Sequence, residues 1–489
     1  MEAEIIVVGG GTSGAVVAGR LAAESGKTVL VLEAGPDYGA LDSGRWPSEL
    51  VDARALANTH DWGYSSRSAD GTTEIVCERA RVISGCSAHN GCIAAVGHPS
   101  DYDAWGMPGW SGNEVRELYA RVLTRMRVRA YRDDEAGPFH RACLDAALAM
   151  GLPRADDLTD IDAGVGFGLE PVNMQDGVRF NSAFAYLDSA RDRPNVTILG
   201  DVLVDRLELL ESGEVMVHGS RNGDPLLARG GRVVLAAGAY GTPAVLLRSG
   251  IGEAAHLQSL GIPVTRELPG VGFNLHDHPM IEVEFTGSEE LDRLLAATGG
   301  FVPEEQTLGK VCSSLATDGL YDLHLVPLCS TTGGGVMAGR RFIAAAAVYP
   351  YSRGRLTLPD RNPESKPILD HGYLSDPEGR DLAVLSDGVR LAHELASQEP
   401  LRSLLGPCTK PYESDEAIRR GHGHYYHPVG TCPMGSAHDE MAVCDESGRV
   451  HGAPQITIAD CSIIPQVPRA NTNMPAVMIG EKIADLLVA

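Results

Sequence analysis

The chain has 489 residues, 43% of them hydrophobic, and carries 41 basic against 65 acidic side chains for a net charge of −24. That length exceeds what one hydrophobic core usually holds, so two domains are expected. The acidic balance, with no stripe of Lys or Arg, argues against nucleic acid or an anionic membrane as partner. Ten scattered cysteines without a CxxC pair predict reduced thiols and a cytoplasmic protein, and neither a leader segment nor a membrane-spanning run is read at the N-terminus or beyond.

An apolar strand at residues 5–8 runs into Gly9-Gly10-Gly11-Thr12-Ser13-Gly14, after which residues 15–23 have the small side chains of a closely packed helix. Gly9, Gly11 and Gly14 fit the GxGxxG turn. In it glycine permits the tight bend, backbone approach to a pyrophosphate and close helix packing, with the helix N-terminus facing the anion. A second strand at 28–32 ends on Glu33, about 20 residues beyond the glycines, where a carboxylate accepts from ribose hydroxyls. Thr12, Ser13 and Ala34 fall in the same cradle. Further strands are expected at 196–199, 202–210 and 232–238, the last ending in small residues and rejoining the first sheet, so the dinucleotide domain is discontinuous. Residues 287–339 carry loop-like clusters such as Thr331-Thr332-Gly333-Gly334-Gly335. A strand at 342–348 and a helix at 376–397 follow, the helix with Leu382, Leu385, Val389, Leu391 and Leu395 toward one face.

Four more stretches carry a family resemblance. They are the segment from Arg79-Ala80-Arg81 through Ser84-Gly85-Cys86-Ser87-Ala88-His89-Asn90-Gly91, and Gly238-Ala239-Tyr240-Gly241-Thr242-Pro243 running on to Gly250-Ile251-Gly252. The third is Leu268-Pro269-Gly270-Val271-Gly272-Phe273-Asn274-Leu275-His276-Asp277-His278-Pro279. The fourth is Tyr426-His427-Pro428-Val429-Gly430-Thr431-Cys432 with the downstream Ala459-Asp460 and Ala470-Asn471-Thr472-Asn473-Met474-Pro475. With the glycine turn they cover nearly the whole chain, which resembles the glucose-methanol-choline (GMC) oxidoreductases and, within them, the choline oxidase-like members. Ser84 and Cys86 depart from the commonest form of the first stretch.

The resemblance implies an α/β fold, with a Rossmann-like FAD-binding domain (GMC/p-hydroxybenzoate hydroxylase-like) and a second, substrate domain on a mixed or antiparallel sheet covered by helices. The FAD-binding domain is expected at 1–155, 195–283 and 425–489, and the substrate domain at 156–194 and 284–424. FAD, rather than NAD, is implied as cofactor. Its contacts are expected from Gly9, Gly11, Thr12, Ser13, Gly14, Glu33 and Ala34; from Ser84, Cys86, His89, Asn90 and Gly91; and from Val204, Ala237, Gly238, Ala459, Asp460, Asn471 and Thr472. His89 stands where choline oxidase-like members bond covalently to the flavin 8α-methyl. The implied activity is oxidation of a primary or secondary alcohol to a carbonyl by hydride transfer to flavin N5. His427 would be the base, since imidazole titrates near neutrality, and Asn471 the hydrogen-bond donor to the alkoxide. Oxygen or another carrier would take the electrons, and a homodimer is one alternative for the assembly.

Other patterns compete for the same residues. His422, His424 and His427 form HxHxxH near Cys432, but the spacing is not a usual zinc pattern and no metal is expected. His276 and His278 read as architecture at a domain junction, a place the family gives that motif. Trp62 and Tyr426 are candidates to line the substrate pocket, Trp62 being equally readable as a packing anchor. No GxSxG elbow of a hydrolase follows a strand in a convincing place. A flavin-containing hydroxynitrile lyase of the same family and a non-catalytic flavin-binding accessory protein remain as alternatives.

Overall fold

Strand β1 (Glu2–Val8) and strand β2 (Val29–Leu32) are short runs whose aliphatic residues, Ile5 to Val8 and all of β2, are buried. Burial on both faces suits a parallel strand covered on each side, which needs a continuous rather than an alternating apolar run. A computed structural model of the chain, which describes residues 1–299, 302–330 and 339–488, pairs them in parallel. They form the centre of a five-stranded parallel set in the order Val196–Leu199, β2, β1, Asp224–Leu235 and Ala453–Ile458. The strand expected at 232–238 stops at Leu235, a helix starting at Gly238, and is the end of a longer element. The first half of Asp224–Leu235 pairs antiparallel with Val215–Arg221, which in turn pairs with Val202–Leu209. The glycine cluster at 331–335 lies outside the described residues.

Helix α1 (Thr12–Glu24) crosses from β1 to β2 and is buried along Ser13 to Ala22. It packs against the helix Asn473–Val488 so closely that a Cβ on Gly480 would lie 2.8 Å from the Val16 side chain and 2.9 Å from the Ser13 carbonyl oxygen. Ser13 Oγ donates to the Ala476 carbonyl at 2.8 Å. Arg20 reaches the buried Glu481 and, at 2.8 Å, Asp485. The helix Asn473–Val488, far away in sequence, thus completes the first βαβ unit.

The second sheet has the order Leu405–Lys410, Pro279–Gly287, Arg341–Ala347, Leu323–Cys329, Thr307–Val311, Gly166–Leu169 and Arg154–Ala155. All neighbours are antiparallel except the last pair, so the sheet is mixed. Its strands alternate between two apolar environments, as a period of two requires. Ile343, Ala345 and Ala347 join the main core, toward helix Arg380–Ala396, whereas Phe342, Ala344 and Ala346 join a second cluster with Met280, Val326, Leu328 and Tyr425. Both faces being apolar explains the uninterrupted run read as a strand at 342–348. The helix expected from 376 begins at Arg380, because Gly379 is left-handed (φ +67°) and the Asp376 carboxylate accepts from the Arg380 N–H at 2.6 Å. The chain enters this sheet at Pro279, inside the stretch expected to belong to the first domain, and Gly423–His424 still pairs with it. Among the described residues no helix is long and apolar enough to cross a membrane.

Candidate active site

In a parallel sheet the carboxyl ends of the strands lie on one edge, where ligands bind. Here β1 runs on into Gly9, β2 into Glu33, Asp224–Leu235 into Ala236 and Ala453–Ile458 into Ala459. A large cleft opens on this edge and extends under the second sheet, lined at one end by Gly11, Thr12, Glu33 and Gly238 and at the other by Met280, Phe342 and His427.

The first end is built mostly from backbone. Gly9 is left-handed (φ +93°), and a Cβ on Gly14 would sit 1.9 Å from the Gly9 carbonyl oxygen, so Gly14 serves the turn from behind and does not line the cleft. A Cβ on Gly11 would meet nothing closer than 3.8 Å. Beside it the Thr12 and Ser13 amide N–H groups find no acceptor among the described residues. Three turns of helix behind unpaired N–H groups make an anion site. Glu33 is buried and accepts from Gly10 N–H at 2.9 Å and Gly35 N–H at 2.8 Å. Burial raises its pKa to about 7 against the pull of those donors and of Arg81. Its remaining lone pairs are free to accept from hydroxyls. This donor and acceptor set fits the pyrophosphate and ribose of FAD.

Other expected contacts divide. Cys86, His89, Asn90, Gly91, Val204, Ala237, Gly238, Asn471 and Thr472 line the cleft. Ser84 does not. It takes the left-handed conformation (φ +76°) and turns its hydroxyl to Ser182 Oγ at 3.0 Å and the Ala183 N–H at 3.2 Å, while Gly85 packs on Gly11. Ala459 is buried behind Asp460, whose carboxylate accepts from Gly238 N–H (2.9 Å), Thr242 Oγ (2.6 Å) and Ser462 N–H (2.8 Å) and so fixes the loop. His89 is buried and its Nε2 donates to the Thr59 carbonyl at 2.5 Å. Burial lowers its pKa, leaving a neutral ring whose other nitrogen has no partner among the described residues.

The second end is built from side chains. His427 lines the cleft, its backbone N–H donates to Asp277 Oδ1 at 3.0 Å, and its Nδ1 lies 3.0 Å from His278 Nδ1. Burial, then the neighbouring His278, holds its pKa well below the ordinary histidine value despite Asp277. Tyr425 meets the ring edge-on, centroids 4.4 Å apart, and its hydroxyl takes a hydrogen bond from Asn471 Nδ2 at 3.4 Å. Asn471 Oδ1 is buried without a partner. An unpaired buried acceptor costs about 1–3 kcal/mol, so this amide is arranged for something the cleft receives. Tyr426 is left-handed (φ +64°), and its carbonyl accepts from Arg79 at 3.0 Å. Trp62 lines the cleft with its ring stacked on Tyr64 at 5.9 Å and under Arg81 at 4.7 Å.

Sequence reasoning missed several groups here. The expectation that His276-Asp277-His278 is junction architecture holds for His276, which bridges the Asn274 carbonyl (2.6 Å) and Val467 N–H (3.0 Å). It fails for Asp277 and His278, which touch His427; alternation along the strand that starts at Pro279 was the signal available. HxHxxH does not converge, since His422 bonds Ala69 N–H at 2.9 Å and His424 the Val76 carbonyl at 2.8 Å. Among the described residues the metal-ligand atoms that do gather are those of Asp277, His278 and His427. Asp277 is held well below the carboxylate range: burial raises it, and the outweighing influence is His424, itself lifted to about 9 between Asp277 and Glu78 despite burial. Tyr425, which sequence reasoning did not single out, touches both His427 and Asn471. Glu305 also lines the cleft, with no side-chain partner among the described residues. Burial raises its pKa to about 8, and its carboxylate lies against Gly91, where a Cβ would stand 3.0 Å from Oε2.

A dinucleotide cradle opening onto buried imidazoles defines an FAD-dependent oxidoreductase acting on CH–OH donors. Family models described as GMC oxidoreductase match residues 3–280 and 350–480. The chain therefore belongs to the GMC oxidoreductase family. It is 33% identical to the choline oxidase of Arthrobacter globiformis, over 99% of this chain and 94% of that one. It is 30% identical to the oxygen-dependent choline dehydrogenase of Paraburkholderia xenovorans over the same shares. Among solved structures it resembles pyridoxine 4-oxidase from Mesorbium loti (TM-score 0.86, 24% identity, 99% and 98% of the two chains) and formate oxidase (TM-score 0.85, 22% identity, 99% and 98%), which supports the fold.

Proposed function

We propose that the chain oxidises a primary or secondary alcohol to a carbonyl, with His427 as the base that takes the hydroxyl proton and Asn471 as a donor to the resulting oxygen. The observation that carries this is the neutral, buried His427 ring lining the cleft beside Tyr425, whose hydroxyl takes one of the two Nδ2 hydrogens of the cleft-lining Asn471. A base with a low pKa is unprotonated at rest, and Asp277, 3.0 Å from the His427 backbone N–H, favours the imidazolium once the proton arrives. The second amide hydrogen of Asn471 Nδ2 is available to hold the alkoxide without titrating. When bound, FAD supplies the acceptor for the carbinol hydride.

Glu305, in a wall of Phe342, Tyr425 and Tyr426, supports a substrate with a basic nitrogen or another hydrogen-bond donor away from the carbinol. Choline, which names two of the relatives, is the first alcohol to try. Oxygen or another carrier then reoxidises the enzyme, and stopped-flow reoxidation in air-saturated buffer separates them. The deciding experiment is anaerobic addition of an alcohol panel. Bleaching of the visible flavin band is expected; cyanide release from a cyanohydrin with an unbleached flavin would instead mean a lyase. The neutral His89 ring, with one nitrogen left over, supports covalent attachment of FAD, and acid precipitation is expected to carry the flavin down with the polypeptide.

A further inference from the structure

Whether His427 can act as a base depends on which of its ring nitrogens carries the single proton. Only a lone pair facing the cleft can take a proton from substrate, and a neutral imidazole has one lone pair. The contact that decides this lies away from the substrate. His427 Nδ1 and His278 Nδ1 are 3.0 Å apart with the ring planes at 85°, and both rings are buried. Two nitrogens at that distance must share one hydrogen, so one ring donates and the other accepts.

Two arrangements satisfy the pair. If His278 donated from Nδ1, its Nε2 would be a lone pair buried without a donor, and His427 would present an N–H to the cleft. If His427 donates, His278 carries its hydrogen on Nε2. That atom has no close partner, but the backbone carbonyls of Val348 and Pro468 face the ring, and carbonyls only accept. The second arrangement therefore leaves an N–H facing acceptors rather than a lone pair facing them. Both rings are neutral, since burial takes His278 down to about 4 and His427 well below its ordinary value. The remaining groups around the pair are Asp277, His424, Arg79, Tyr425, His324 and Arg469, and none is recorded donating to His278 Nε2.

We infer that His278 is a positioning residue that sets the tautomer of His427, accepting at its Nδ1 the hydrogen that His427 carries on Nδ1 and so leaving the His427 Nε2 lone pair to the cleft. The role is that of the third member of a catalytic triad, which orients the base and fixes its tautomer. Here a neutral imidazole fills it while the carboxylate, Asp277, holds the backbone of the base. The inference rests on His427 being the base only for its catalytic consequence. The tautomer itself is a property of the resting protein.

The test is nitrogen-15 NMR of the histidine-labelled holoenzyme, with the His427 ring identified by its loss in His427→Ala. A protonated Nδ1 and an unprotonated, pyridine-like Nε2 are expected; a protonated Nε2 would overturn the inference whether or not His427→Ala abolishes activity. In the kinetic arm, His278→Leu is expected to slow anaerobic flavin reduction about ten- to a hundredfold with KM little changed, because the ring then only samples the productive tautomer. His278→Asn, which keeps an acceptor near the position of Nδ1, is expected to recover most of the rate with the same FAD content. Equal rates in the leucine and wild-type enzymes would refute the positioning role. Should His278→Leu not fold, the wild-type spectrum still decides.

Discussion

The two ends of the cleft are built from different material. At the FAD end the functional groups are amide N–H donors, carbonyls and missing side chains, supplied by Gly9 to Ser13 and by Gly238, with Glu33 as the principal side chain. At the catalytic end they are side chains from segments far apart in sequence, Asp277 and His278 meeting Tyr425, His427 and Asn471. A backbone cradle tolerates variation around it as long as its glycines remain. A side-chain cluster in low dielectric is sensitive to every member, because each one sets the protonation of the next.

That contrast makes substitution effects separable. The largest effect is expected from His427→Ala, which should slow flavin reduction by about two to four powers of ten while the protein keeps its FAD. Stopped-flow absorbance measures it, and a wild-type rate would remove His427 from the role of base. Glu33→Ala should act at the other end only. FAD affinity falls by about 1.5–3 kcal/mol, the scale of a lost charged hydrogen bond, and the enzyme once loaded reduces at the normal rate. Titration of the apoprotein with FAD followed by rapid reduction checks both halves; a slowed chemical step would blur the division between the two ends.

Asn471→Ala should cost less than loss of the base, about tenfold in reduction rate, since one hydrogen bond to the alkoxide is removed while the proton still has its acceptor. The smallest effect is one of pH. Glu33 in the folded apoprotein has its pKa raised to about 7 by burial, so the folded chain keeps a proton that the unfolded chain has already lost above the ordinary carboxylate range. Stability of the apoprotein therefore falls as pH rises from about 4.5 to 7. Ribose hydroxyls donating to the carboxylate favour its ionised form, so FAD binding releases a proton in that window. Affinity is expected to rise toward pH 7 and level off above it, by less than about tenfold per pH unit, and Glu33→Gln should flatten the curve. Calorimetry in buffers of different ionisation enthalpy would detect the proton, and no release would mean that Glu33 does not meet the hydroxyls.

Legibility in the sequence followed the same division. The strand, glycine turn, helix and Glu33 were readable because they are local: the turn needs Gly9 in the left-handed region and no Cβ at Gly14, and both demands fall within six residues. The mixed sheet was readable only in part. Its near-continuous apolar strands hide which residues face the cleft, and Phe342 and Ala344 became distinguishable from Ile343 and Ala345 only when the sheet had a helix on one side and a cofactor site on the other. His427 and Asn471 were found by resemblance, and geometry then supplied a partner for each. Asp277 and His278 escaped because adjacency in sequence to His276 invited one role for all three, whereas the chain turns between them and sends His276 to the loop at Val467. Ser84 shows the opposite case. It sits in a flavin-loop motif, yet its left-handed backbone directs the hydroxyl back to Ser182.

The pairing of α1 with the helix Asn473–Val488 has a consequence for how the molecule is made. An element made early is buried by one made much later, Arg20 and Glu481 lying 461 residues apart, so on the ribosome α1 and the Arg20 guanidinium wait for Glu481 and Asp485 until that later segment has emerged. The same later segment delivers Asn471 and Thr472 to the cleft just before the helix begins. Closure of the first folding unit and completion of the cleft therefore both wait for this segment, and a nascent polypeptide without it has no complete cleft to expose.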